Sequence, residues 1–203
     1  MEKCVKLFMD HVNSECEKYG ILLDLRRSKR VKYDDTITCS GWFDCDAKEL
    51  VVGKYSSDFL GIFVHEYAHM TQWIDYLDGT FPLWKSAGNS IAKYNEWLDG
   101  KPTPNISKHI ARARDLELDN ERRSVRIIRD WGLDSVIDID DYIRKANAYL
   151  LFYNWMRKYR RWSSTTRSPY NTPAITKLMS KKFNMNYAEL PSHIEKAFID
   201  ARI

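Results

Sequence analysis

Apolar residues recur at the spacing of helices or of strands along most of the 203-residue chain, with glycine, proline and polar residues between the segments. Three short runs rich in β-branched and aromatic residues predict strands, at 21–26, 36–43 and 49–55. Helical periodicity and helix-boundary residues predict six helices, at 2–19, 57–77, 91–98, 107–131, 140–161 and after Pro191. This order predicts an α+β fold that is mainly helical, with a small three-stranded sheet packed on the second helix.

The second predicted helix is amphipathic. When its residues are projected at about 100° each, one face is apolar and consists of Phe59, Phe63, Tyr67, Met70, Ile74 and Leu77. His65, His69 and Gln72 lie on the opposite side. Ser56 or Ser57 is expected to cap the start of the helix. The helix is therefore expected to pack through its apolar face and to present its two histidines on the other face.

This helix contains an H-E-x-x-H motif, His65-Glu66-Tyr67-Ala68-His69. Residues four apart lie about one turn, roughly 5–6 Å, from each other on the same face of a helix. Both imidazoles can therefore bind one Zn²⁺ at about 2.0–2.1 Å. Glu66 lies beside them, where it can accept a proton from a water molecule at the metal. The alternative, a surface helix with two solvated histidines, is disfavoured by the apolar opposite face.

A catalytic zinc normally takes three protein ligands and leaves one position open for water. The predicted helix 107–131, with Ser107 as its N-cap, carries Glu117 and Glu121 in an otherwise apolar or small-residue stripe. Buried carboxylates are costly unless they are paired or bound to a metal. We expect Glu117 to bind the metal and Glu121, one turn on, to accept a hydrogen bond from a histidine ligand. Two alternatives stay open, namely Glu121 as the ligand and pairing of both carboxylates with nearby arginines.

An H-E-x-x-H motif followed by a helix with E-x-x-x-E resembles the gluzincin zinc metallopeptidases, which include the thermolysin-like enzymes. The resemblance implies a minimal gluzincin core that binds zinc through His65, His69 and Glu117 and hydrolyses a protein or peptide substrate, with Glu66 as general base. It also implies that Glu121 holds a histidine ligand in place of the family's usual Asp. The chain looks like a small cytosolic, phage-like or bacterial member of this group.

Two features depart from the gluzincin pattern. The gap from His69 to Glu117 is longer than in thermolysin-like enzymes. Asn120-Glu121-x-x-Ser124 is similar to the N-E-x-x-S of those enzymes, which would make Glu121 the third ligand. The resemblance covers two helices and a preceding strand, so the rest of the chain is not assigned by it.

Two further segments are candidates for contact with substrate. In gluzincins the strand before the zinc helix is often an exposed edge that pairs with an extended peptide, and Leu50-Val51-Val52-Gly53 is the candidate here. The predicted helix 140–161 carries a stripe of tyrosines whose simpler role is core packing. From this stripe, Tyr149 is predicted to stabilise the oxyanion, with His109 as a rival.

The formal net charge is only +4, but positive charge is concentrated locally in the C-terminal part. No Asp or Glu occurs between Asp141 and Glu189. Aromatic residues lie between the cations of one segment, which are Arg157, Lys158, Arg160, Arg161 and Arg167. They predict a surface for nucleic acid or for an acidic partner, and a nucleic-acid complex would be salt-sensitive. The alternative is a solvated helix face and loop.

Length and composition favour one zincin-like domain over 1–203, with a core of about 1–135 and a basic helical extension of about 136–203. No apolar run approaches the roughly 18–20 residues of a membrane-spanning helix, so no membrane partner is expected. The chain begins without the apolar segment of a signal peptide, which predicts a cytoplasmic protein, in the host cytoplasm if it is phage-encoded. Its four cysteines are then expected to be reduced thiols.

Overall fold

The computed structural model describes residues 2–33, 38–163 and 167–203. Within these residues, the α-helices are α1 (Lys3–Tyr19), α2 (Phe59–Leu77), α3 (Leu83–Leu98), α4 (Ile106–Asp130), α5 (Ile139–Tyr159), α6 (Pro173–Thr176) and α7 (Ser192–Asp200). The strands are β1 (Leu22–Arg26), β2 (Val31–Lys32), β3 (Thr38–Cys39), β4 (Gly41–Asp44) and β5 (Glu49–Gly53). The predicted fold class, α+β and mainly helical with a small three-stranded sheet, is confirmed. No helix in these ranges is long and apolar enough to span a membrane.

The three-stranded sheet is mixed and has the order β1-β5-β4. β1 is parallel to β5, with Leu23 opposite Leu50, and β4 is antiparallel to β5, with Trp42 opposite Val51. The prediction that 50–53 forms an exposed edge is therefore wrong, because β5 is the central strand. Its pairing on both sides explains why a near-continuous apolar run is fully buried there. The outer strands of the sheet are β1 and β4.

The strand predicted at 36–43 is divided between two sheets. Thr38–Cys39 pairs with β2 in a separate antiparallel ribbon, whereas Gly41–Asp44 pairs with β5. Positions 36 and 37 lie outside the described residues. A run of β-branched and aromatic residues predicts an extended backbone, but it contains no information about which strand each half pairs with.

The chain divides into two compact units. The first comprises Met1–Asp78 and Arg123–Ile139, and the second comprises Gly79–Arg122 and Asp140–Ile203. α4 is one continuous helix that contributes residues to both units. The predicted division into a core of 1–135 and an extension of 136–203 stays a prediction.

In the first unit, α2 packs on β4 and β5, and α1 packs on α2. The ring of Phe8 in α1 lies 5.6 Å from the ring of Phe63 and 5.8 Å from that of Tyr67, measured between centroids. The predicted apolar face of α2 is buried at Phe63, Tyr67 and Met70. It is wrong at Leu77, which is 54% exposed because it lies in the last turn, beyond the packed part of the helix.

Several predicted helix boundaries need correction. α2 begins after Asp58, so neither Ser56 nor Ser57 is its N-cap. α4 begins at Ile106 and already includes Ser107, which is therefore not its N-cap either. The helix predicted at 91–98 begins at Leu83, directly after Pro82, because proline is favourable at a helix start. Gly20 and Gly132, both with positive φ, lie just past the ends of α1 and α4.

In the second unit, α5 forms the centre of a core to which α3, α4 and α7 contribute. Two buried asparagines of α5 bind the backbone of a segment without regular structure. Asn147 Nδ2 donates to the carbonyl of Ser180 at 2.8 Å, and Asn154 Nδ2 donates to the carbonyl of Tyr187 at 2.8 Å. These bonds satisfy carbonyl groups that would otherwise be costly to bury.

β4 lies close to α2 at Gly41. A Cβ atom at this position would lie 2.9 Å from the carbonyl oxygen of Val51, 3.0 Å from Ile62 Cγ2 and 3.2 Å from Glu66 Cγ. The carbonyl belongs to the β5 ladder and cannot move aside easily. We therefore expect Gly41→Ala to lower the free energy of unfolding by about 1–3 kcal/mol, the usual cost of overpacking, as measured by urea denaturation.

Gly88→Ala is the matched control for this substitution. Gly88 is exposed within α3, and a Cβ there would meet no atom within 4 Å. Alanine is the better helix former by about 1 kcal/mol, so this variant is expected to be as stable as the wild type or more stable. Equal losses of stability in the two variants would contradict the close approach of β4 to α2.

Candidate metal centre

The two histidines of the H-E-x-x-H motif lie one turn apart on α2 and are both half-buried. The centroids of the His65 and His69 rings are 4.8 Å apart, and the ring planes are nearly perpendicular, at 88°. Each histidine and Glu117 of α4 offers one ligand atom, and these three atoms all lie within 4.8 Å of one another. Three side chains that were predicted as metal ligands are thus found together as a possible metal-binding group.

The chemistry and spacing of this group fit a divalent metal ion. Ligand atoms at about 2.0–2.1 Å from a tetrahedral zinc are about 3.3 Å apart, so the three groups have to close by at most about 1.5 Å. Side-chain rotation alone can supply such a change. Glu117 is only 8% exposed, and burial of a carboxylate is costly unless a cation or hydrogen bonds compensate its charge. A metal ion held by Glu117 and the two histidines would provide that compensation.

Glu117 lies on a buried stripe of α4 that consists of small and polar residues. Ala113, Asn120 and Ser124 on this stripe are fully buried, and Glu121 is 5% exposed. Glu117 contributes the carboxylate oxygen of the possible metal-binding group.

Glu121 has a defined hydrogen bond in the second unit. The hydroxyl of Tyr142 in α5 donates to Glu121 Oε2 at 2.7 Å. This bond holds one oxygen of the Glu121 carboxylate in place. The predicted role of Glu121, holding a histidine ligand, stays a prediction.

Gln72, which the helical projection places on the side of the histidines, has no predicted role. Gln72 Oε1 lies 2.9 Å from Nδ1 of His69, and the glutamine is completely buried. The signal was available in the sequence, because residues three apart on a helix are neighbours and an amide is a common partner of a metal-bound imidazole.

Glu66, the predicted general base, is 9% exposed and lies close to the β3–β4 segment. The negative charge of Glu66 affects the nearby thiol of Cys39. Burial, and then this charge, raise the pKa of Cys39 to about 11. Cys39 is therefore a protonated thiol at neutral pH and a poor nucleophile. All four cysteines are free, as predicted.

Tyr149, the predicted oxyanion-stabilising residue, lies in a cluster of buried tyrosines in the second unit. Its hydroxyl is 3.2 Å from that of Tyr153. Burial, and then the negative charge of Glu117, raise the pKa of Tyr149 well above its usual value. Burial is also the largest cause of the raised pKa of Tyr94 and of Tyr153, and the charge of Glu117 adds to it in both. A protonated hydroxyl can donate a hydrogen bond to a developing negative charge, but the assignment of that role to Tyr149 stays a prediction.

The rival for the oxyanion role, His109, is half-buried near the start of α4. Its Nδ1 lies 3.3 Å from Oγ of Ser90, which in turn donates to the carbonyl of Ser86. These contacts tie His109 to α3 within the second unit, and its rival role is likewise untested.

Three of the cations predicted to bind nucleic acid make contacts within the second unit. Lys158 pairs with Glu195 at 2.5 Å. Arg160 Nε donates to the carbonyl of Trp97 at 2.8 Å, and Arg161 Nη2 donates to the carbonyl of Ile203 at 2.6 Å. Two others, Arg157 and Arg167, are exposed. Part of the local positive charge therefore binds the end of α5 and the two residues after it to other parts of the second unit.

Comparison of the chain with family models, with curated proteins and with solved structures found no match. The resemblance to gluzincins accordingly rests on the H-E-x-x-H motif of α2 and on the position of Glu117 beside the two histidines.

Proposed function

We propose that the chain is a zinc-dependent peptidase of the gluzincin type. The observation that carries this proposal is the group formed by His65, His69 and Glu117, with ligand atoms within 4.8 Å of one another. Two histidines and one glutamate are the protein ligands of catalytic zinc in thermolysin and carboxypeptidase A, with a fourth position left for water. A structural zinc site favours four protein ligands, rich in cysteine, and this group has three ligands and no cysteine.

In the proposed hydrolysis, the metal site and Glu66 have different roles. Zinc held by His65, His69 and Glu117 would supply Lewis acidity, which would polarise the carbonyl of the scissile bond and lower the pKa of water. Glu66 accepts the proton of the attacking water and passes it to the leaving amine. Its Cγ faces Gly41, where only the absence of a side chain leaves it room. This close packing restricts the rotamers of Glu66 and helps to hold its carboxylate in one place.

An extended peptide is the substrate class that the sheet favours. β4 is an outer strand of the sheet and packs on α2, the helix that carries the catalytic motif. Outer strands accept extended peptides through backbone hydrogen bonds, so β4 can align a substrate beside α2. This proposal replaces 50–53 by 41–44 as the candidate binding strand.

Removal and return of the metal test this function. The purified chain is expected to contain about one zinc, to hydrolyse a fluorescence-quenched denatured protein, and to lose this activity after dialysis against a chelator. One equivalent of zinc should restore the activity. The proposal is wrong if the metal-free chain keeps full activity, or if the zinc-loaded chain cleaves neither denatured proteins nor peptide mixtures.

The second candidate function is that of a zinc-containing nucleic-acid-associated or partner-binding protein. It would be inactive, or it would act on DNA-bound proteins. No contact in the described residues favours it over the peptidase, since Lys158, Arg160 and Arg161 have partners within their own unit. It stays a prediction from the charge pattern.

A further inference from the structure

The hydrogen bond between His69 and Gln72 determines which nitrogen of His69 can bind a metal. Oε1 of Gln72 is an amide oxygen and can only accept a hydrogen bond. It lies 2.9 Å from Nδ1 of His69, and a hydrogen bond between these two atoms requires the proton to be on Nδ1. A neutral imidazole carries one ring proton, so the lone pair is on Nε2.

We propose that Gln72 is a positioning residue that fixes the tautomer and the ring orientation of His69, so that Nε2 is the metal ligand. This inference rests on the proposed metal site. Gln72 is completely buried and lies about one turn after His69 on the same helix, so packing restricts the movement of its side chain away from the imidazole.

The choice of an amide instead of a carboxylate has an electrostatic reason. Glu66 and Glu117 already bring two buried carboxylates to the region of the two histidines. A third negative charge in full burial would be costly and would offset more of the charge of the metal. A neutral acceptor orients His69 without adding charge, and Gln72 is the single glutamine of the chain.

The tautomer of His69 can be read directly by long-range ¹H–¹⁵N correlation spectra of the histidine-labelled chain at a pH where imidazoles are neutral. The chain has five histidines, and His69→Asn identifies the signals of His69 by their loss. The metal-free wild type and Gln72→Glu are expected to show the proton on Nδ1. Gln72→Leu, which has no acceptor, is expected to show a mixture of both tautomers.

Zinc affinity provides the second readout. We expect Gln72→Leu to bind zinc about 10–100-fold more weakly than the wild type, the usual effect of losing the partner of a ligating histidine. Gln72→Glu keeps an acceptor and is expected to bind zinc at least as tightly as the wild type. The matched control is Thr71→Val, which removes the bond from Thr71 Oγ1 to the carbonyl of Ala68, 2.7 Å, in the same turn of α2. It should change neither the tautomer nor the affinity.

Two results would overturn the inference: a proton on Nε2 of His69 in the wild type, or wild-type zinc affinity and an unchanged tautomer in Gln72→Leu. Failure of the proposed function is a separate outcome. If the wild type binds no zinc, the peptidase proposal is wrong, whereas the tautomer of the metal-free chain still decides whether Gln72 orients His69.

Discussion

Glu66→Gln is expected to lower the rate of peptide hydrolysis by about 10²–10⁴-fold, the typical contribution of a general acid–base residue, while zinc stays bound. Glutamine has nearly the same shape as glutamate, so the packing against Gly41 of β4 should be kept. Its amide cannot accept the proton of the attacking water. The rate of hydrolysis and the zinc content per chain, measured on the same preparation, separate loss of chemistry from loss of metal.

The control for this substitution is Glu17→Gln, which makes the same change at an exposed position of α1. Its activity and zinc content should match those of the wild type. If Glu66→Gln kept the activity of the wild type, Glu66 would not be the general base, whatever the zinc content. If it lost its zinc together with its activity, its role would be structural.

Glu117→Ala is expected to lower zinc affinity by more than the about 10–100-fold that loss of an outer partner causes, because it removes one of the three proposed ligands. Elemental analysis after gel filtration should find little zinc in this variant. The rate of hydrolysis should fall with the zinc content, since the zinc ion is the proposed Lewis acid. The fold should persist, since Glu117 is a single position on the long helix α4.

Glu121→Ala is the comparison that distinguishes the two carboxylates of α4. It removes the acceptor of the Tyr142 hydroxyl but leaves Glu117 next to the histidines. Its zinc affinity is expected to fall by about 10–100-fold at most. If Glu121→Ala lost zinc and Glu117→Ala kept it, the third ligand would be Glu121, as the similarity of 120–124 to N-E-x-x-S suggests.

Features set by spacing within one helix could be predicted from the sequence. The position of His65 and His69 on one face of α2 follows from helical geometry, and so does the inward direction of Glu117 on α4. The fold class followed from the order of periodic segments. Each of these inferences needs only the local backbone and the cost of burying a carboxylate.

Features that depend on partners distant in sequence could not be predicted. The exposed edge at 50–53 was inferred from the resemblance to gluzincins, and an apolar run alone does not reveal how many strands pair with it, so the central position of β5 was missed. The intramolecular partners of Arg160 and Arg161 are backbone carbonyls, which no side-chain pattern reveals. Gln72 was missed for a different reason, because its partner was local but a single glutamine forms no motif.

The mixed pairing of β5 has a consequence for how the chain folds. β4 and β5 are joined by a short turn at 45–48, so their antiparallel pairing closes a small loop at little entropic cost. β1 pairs with β5 only after the whole segment that contains β2, β3 and β4 has been looped out, which makes this step slower. We therefore expect the hairpin to form first in the first unit, so that α2 with His65 and His69 can dock on it before β1 completes the sheet.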